Sequence, residues 1–139
     1  MQYHSTNYSG DIGEFSRVLA IAASNTTELL LVSPDKIASL ETLITKAYGQ
    51  DLWKLLFKNR SVKIPQTNLT IYMEAKGTKS AFSRGNIFLP LASMSTVERA
   101  IKDHRTVNTF YIPHSGPNTG YGIDELTDYK KKYPASQEV

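Results

Sequence analysis

The sequence predicts a single α+β domain over residues 1–139, with one mainly antiparallel sheet packed against a central helix and short helices toward the C-terminus. Three observations carry this expectation. Between Ser33 and Lys58, Ile37, Leu40, Leu43, Ile44, Ala47 and Tyr48 recur at the three-and-four spacing of one helix face. Leu69, Ile71 and Met73 alternate with Thr70, Tyr72 and Glu74, the period of a half-buried strand. Ser95 and Glu98 form an S-x-x-E capping box ahead of Val97, Ala100 and Ile101, which predicts a short helix over 96–104.

In chain order, residues 1–10 are polar and aromatic without a clear period, and read as an arm or a short edge strand. Asp11 to Ala23 admits two readings. As a helix, Asp11 caps it and Phe15, Val18, Leu19 and Ala22 share a face; as a strand, Val18–Ala22 pairs through Ser24–Thr27 with Glu28–Val32. The alanines and the cap favour the helix. Leu29-Leu30-Leu31-Val32 is short, apolar on both sides and bounded by turn residues, which suits a strand buried on both faces.

The central helix follows, over about 34–48. Ser33 is placed to cap it, Pro34 suits its first position, and Asp35 complements its positive end. Gly49 ends or bends it, and Asp51 starts a continuation over 51–58 that carries Leu52, Trp53, Leu55, Leu56 and Phe57. Ser61–Ile64 then reads as a strand stopped by Pro65, and Pro65-Gln66-Thr67-Asn68 as a turn. Beyond the alternating strand 69–74, Asn86–Leu89 and Val107–Ile112 are further strands. Residues 113–122 form a glycine- and proline-rich loop, and Asp124–Lys132 a last helix with its acids first and its lysines last. Residues 134–139, like 1–10, are expected as flexible ends.

Composition narrows the class. With 40% hydrophobic and 21% charged residues, the chain has enough apolar content for a single core and too much for a disordered tail. Having no cysteine, it carries no disulfide, thiolate metal site or cysteine nucleophile. The longest apolar runs, VLAIAA and LLLV, fall short of the ~20 residues of a membrane span, and the first residues lack a signal-peptide pattern. The expectation is a soluble protein, intracellular or viral.

The net charge of +3 is unevenly spread. Residues 1–53 are net acidic and residues 85–139 are balanced, whereas Lys54, Lys58, Arg60, Lys63, Lys76, Lys79 and Arg84 face Glu74 alone within residues 54–84. Such a segment can present a positive surface to an anionic partner. Tyr72, on the alternating strand between Lys63 and Lys76, is the ring best placed to stack on a base. No RNP, KH or zinc-finger pattern accompanies these residues.

Other constellations are weaker. His4-Ser5-Thr6 and His104-Arg105-Thr106 are two H-x-T tripeptides, similar in those residues alone to the paired motifs of the 2H phosphoesterase family. That resemblance implies two histidines serving as base and acid beside one phosphate. Ser5 and Arg105 stand where that family carries an apolar residue, and no strand and helix precede the first tripeptide. The chain is therefore not assigned to the family, and the two histidines are expected to be remote. His114 lies in a polar loop with Ser115, Asn118 and Thr119, and Gly77-Thr78-Lys79-Ser80 keeps only the tail of a P-loop. Neither a G-x-S-x-G elbow nor an H-E-x-x-H metal motif is present.

The function these features favour is a non-enzymatic interaction module, a subunit of a larger assembly, whose basic 54–84 face meets an anionic partner. Nucleic acid is the first such partner and an acidic protein surface the second. A protein-only assembly subunit using its eight tyrosines is the next reading. A small phosphodiester-cleaving enzyme using His4, His104 or His114 is the third. No cofactor or metal is expected.

Overall fold

Leu29-Leu30-Leu31 and Ile87-Phe88-Leu89 lie side by side at the middle of the sheet, and all six side chains are buried. A strand whose residues are apolar on both faces needs a layer of structure on each side, and that requirement organises the molecule. The computed structural model describes residues 1–7, 11–116 and 124–139. Among them seven strands form one sheet: β1 (Gln2–His4), β2 (Glu28–Val32), β3 (Ser61–Lys63), β4 (Thr70–Glu74), β5 (Gly85–Pro90), β6 (Thr106–Ile112) and β7 (Gln137–Glu138). Their order across the sheet is β3-β4-β2-β5-β6-β1-β7.

Five α-helices connect them: α1 (Ile12–Ala23), α2 (Glu41–Tyr48), α3 (Gln50–Asn59), α4 (Met94–Lys102) and α5 (Glu125–Lys132). Helices and strands thus combine in one layered unit, as the α+β expectation holds. The sheet is mainly parallel and not, as expected, mainly antiparallel: every ladder is parallel except β3 with β4. The reason is the connections. Helices carry the chain from β1 to β2, from β5 to β6 and from β6 to β7, so each following strand enters the sheet in the same direction.

The helices divide between the two faces. Side chains from α1, α2 and α3 pack with Leu29, Leu31, Ile71, Met73, Phe88, Phe110 and Ile112 on one face. On the other, Val97 and Ala100 of α4 and Tyr129 of α5 pack with Leu30, Ile87, Leu89 and Tyr111. Successive strand residues point to opposite faces, which is why Leu29 and Leu31 share a core from which Leu30 is excluded.

Local chemistry explains the elements. Asp11 caps α1 by accepting from Glu14 N at 2.8 Å, so the helical reading of this segment is the one adopted. The central helix starts later than about residue 34. Ser33 caps nothing; its hydroxyl donates to Lys36 O at 2.5 Å within a bend, a 3-10 turn covers Ile37–Leu40, and α2 begins at Glu41. Gly49 separates α2 from α3 with φ 96°, a value a residue with a Cβ seldom adopts. In α3, Trp53 and Leu56 are buried, and the indole N–H of Trp53 donates to Glu41 Oε1 at 3.0 Å.

Ser93, two residues earlier than expected, caps α4 by accepting from Thr96 N. Gly85 opens β5 where an added Cβ would stand 2.2 Å from Glu28 O, so the tight approach of β5 to β2 depends on a glycine there. Gln2–His4 forms β1, inside the sheet between β6 and β7, and Gln137–Glu138 forms the exposed edge strand β7. No helix among the described residues is long and apolar enough to cross a membrane.

Candidate functional site: a crevice on the second face of the sheet

Beyond β2 the chain turns to α2 and α3 on one face of the sheet and reaches β4 on one side; beyond β5 it turns to α4 on the opposite face and reaches β6 on the other side. The direction of winding therefore reverses between β2 and β5. In open parallel sheets such a reversal opens a crevice outside the carboxyl ends of the strands, because the two connections leave in opposite directions. Here the connection from β4 to β5 contains no α-helix, and Phe82 from it supplements the second core.

A crevice of about 690 Å³ begins there and runs along α4, over the second face of the sheet, to the residues before β6. Its floor is apolar, with Leu30 and Val32 of β2 and Ile87 of β5. Its rim is polar: Ser33 and Asp35 after β2, Lys76 and Lys79 after β4, and Ser93, Thr96, Arg99 and Lys102 around α4. Volume and lining fall within the range of sites for small molecules, which combine apolar surface with a few polar groups.

Between the end of β4 and the start of β6 stands a set of fixed charges. The Arg105 guanidinium grips Glu74 through Nη1 to Oε2 at 2.9 Å and Nη2 to Oε1 at 3.0 Å, and reaches Asp103 Oδ2 from Nη2 at 2.8 Å. Ser80 adds its hydroxyl and its backbone N–H to Glu74 Oε2. Burial pushes the Glu74 carboxyl up, but the Arg105 and Ser80 hydrogen bonds outweigh it and hold the group below its ordinary value. Asp103 is held at about 2, chiefly by its hydrogen bonds from Arg105. Glu98, also on the rim, pairs with Lys132.

With these carboxylates engaged, the rim cations differ in freedom. Lys79 Nζ lies 4.0 Å from Glu74 Oε1, a carboxylate already held by Arg105. Among the described residues, Lys76, Arg99 and Lys102 make no ion pair within 4.0 Å. Arg99 donates to Thr96 Oγ1 at 3.2 Å, which holds its guanidinium beside the first turn of α4.

Of the eight residues singled out by sequence, two line this crevice: Lys76 and Lys79. Lys54 and Lys58 are exposed on α3, and Arg60 caps the end of that helix. Lys63 on β3 pairs with Thr70 at the start of β4, roughly 13 Å of strand away from the carboxyl end. Arg84 lines a separate concavity at the amino ends of the strands with Asn25, Thr26 and Asn108. Tyr72 is half-buried, set edge-on against Phe82 with ring centroids 5.9 Å apart. Charge adjacent in sequence is thus divided among four places in space.

The sequence reading missed Arg99, Lys102 and the hydroxyls of Ser33, Ser93 and Thr96. One signal was available: Arg99 and Lys102 stand three residues apart, on the polar side of a helix whose Val97 and Ala100 face the core.

The histidines do not converge. His4, at the carboxyl end of β1, is 4% exposed, with Nδ1 2.8 Å from Ser136 Oγ and its ring against Tyr129. Burial pushes its pKa down and Lys130 adds to the effect, against Glu138. His104 is exposed beyond α4, before β6 begins. Because His4 pairs with Tyr111 near the far end of β6, the two histidines lie at opposite ends of the sheet. His114 is exposed after β6; Asn118 and Thr119, named with it from sequence, lie outside the described residues. Among the described residues no group of three or more His, Asp or Glu side chains is gathered so as to hold a metal ion. No family model, curated protein or solved structure matches the chain.

Proposed function

We propose that the protein is a non-enzymatic binding module for an anionic partner, with nucleic acid as the first candidate, and that the crevice between α4 and the carboxyl ends of β2 and β4 receives the anion. The observation that carries this reading is the combination on one rim of Lys76, Lys79, Arg99 and Lys102 above the apolar floor of Leu30, Val32 and Ile87. Phosphate oxygens pair with the cations and accept from the hydroxyls, while a sugar or base edge covers the floor. Binding without chemistry is favoured because, of the four lining carboxylates, Glu74, Asp103 and Glu98 are committed to Arg105 and Lys132, which leaves Asp35, and no histidine is among the lining residues. The segment 54–84 contributes through its two lysines beyond β4 and not as one continuous face.

The test is anisotropy titration of a labelled oligothymidylate across a salt series. Four neutralised phosphates on a single strand give a log–log slope near 3, from about 0.7 per phosphate. Joint Lys76→Glu and Lys79→Glu substitution is expected to lower both affinity and slope. Absence of binding at low salt, where attraction between exposed charges is least screened, would sink the nucleic-acid reading.

A further inference from the structure

The outer face of α3 combines features that the fold itself leaves unused. Each helical residue advances about 100°, so Lys54 and Lys58 make one stripe, with Phe57 about 80° to one side of it and Leu55 about 80° to the other. Leu55 is 49% and Phe57 43% exposed; they are two of the four large hydrophobic side chains left exposed among the described residues. Among the described residues neither lysine makes an ion pair within 4.0 Å, although Asp51 stands in the first turn of the same helix. Two like charges one turn apart repel.

The end of the helix adds an independent observation. Arg60 occupies the C-cap with φ 60°, a left-handed conformation more usual for glycine or asparagine. Its guanidinium carbon lies 5.2 Å from the centre of the Phe57 ring, and Trp53 packs on the same ring at 5.5 Å. These contacts cover part of the Phe57 ring, which still stays 43% exposed for apolar contact.

We propose that this face docks a partner protein through an acidic segment whose carboxylates meet Lys54 and Lys58 and whose apolar side chains cover Leu55 and Phe57. Charge complementarity sets the sign of the partner, and the flanking apolar side chains distinguish a protein segment from a phosphate backbone. The surface shares no residue with the crevice, so success or failure here is separable from binding there.

The experiment uses a fluorescein-labelled peptide built only of glutamate and leucine at amphipathic helical spacing, titrated by anisotropy at physiological salt. Polyglutamate of equal length and oligothymidylate of equal charge serve as competitors. Saturable binding to the wild-type chain is expected. It should weaken at least about tenfold on joint Lys54→Glu and Lys58→Glu substitution, which corresponds to about 1.4 kcal/mol. Leu55→Ser should weaken it several-fold, and joint Lys76→Glu and Lys79→Glu should leave it unchanged. If the doubly reversed variant melts early, Lys54→Gln with Lys58→Gln replaces it. The proposal is overturned by absence of saturable binding, by equal affinity for the α3 variants, or by polyglutamate competing as well as the mixed peptide. Stronger competition by oligothymidylate overturns it too, and would assign the face to nucleic acid.

Discussion

The two faces of the sheet are built from the same parallel strands but are finished differently. On the first, α1, α2 and α3 bury Leu29, Leu31, Ile71, Met73 and Phe88 in one continuous core. On the second, α4 and α5 gather around β5, β6 and β1, while the link from β4 to β5 passes without an α-helix. The first face gives stability and the second leaves room beside β2 and β4. Placing the crevice on the less covered face lets its rim hold unpaired cations that the packed face could accommodate only at a high desolvation cost.

Substitutions should therefore separate the faces by what they damage. The largest effect is expected in the covered core, where Trp53 is 5% exposed and bonded to Glu41. Trp53→Ala should cost about 3–5 kcal/mol in denaturant unfolding. A midpoint equal to that of the wild type would mean that α3 is not seated on the sheet.

Next comes the charged end of the crevice. Arg105→Met leaves Glu74 buried without its guanidinium partner and should cost about 3 kcal/mol at neutral pH. The pH dependence fixes the cause. In the wild type, Asp103 at about 2 and the depressed Glu74 contribute stability that is present above their unfolded values and lost as pH falls through about 4 toward 2. In the variant the buried Glu74 carboxyl prefers its proton, so the deficit should shrink in acid. A deficit independent of pH between 7 and 3 would assign the loss to packing alone. His4 acts in the same direction at milder pH: its depressed value means that stability declines as pH drops below about 6.5.

The smallest effect on stability belongs to the rim. Lys76 and Lys79 are exposed, and reversing both should move the unfolding free energy by no more than about 0.5 kcal/mol per site. Their effect should appear in binding and not in folding.

Much of the fold was legible. The cap at Asp11, the face of Phe15, Val18, Leu19 and Ala22, the alternation of β4 and the break at Gly49 are local patterns, and each is present. The direction of the strands was not read correctly, although its sign was there: Leu29-Leu30-Leu31-Val32 lacks the alternation of a sheet with one wet face. Pairing direction depends on which strands become neighbours, and β2 lies beside β4 and β5, partners 38 or more residues further along the chain. The candidate site was legible in part for the same reason. Lys76 and Lys79 were singled out because they belong to a basic stretch, whereas Arg99 and Lys102 sit in a segment of balanced charge and reach the crevice only because α4 leans over β5.

The most direct measurement is amide chemical-shift mapping by NMR as oligothymidylate is added at low salt. Binding in the crevice predicts shifts concentrated at Ser33, Lys76, Lys79, Ser93, Arg99 and Lys102, with α3 and the amino-end concavity around Arg84 silent. Shifts spread evenly over Lys54, Lys63 and Arg84, with the crevice unchanged, would contradict it.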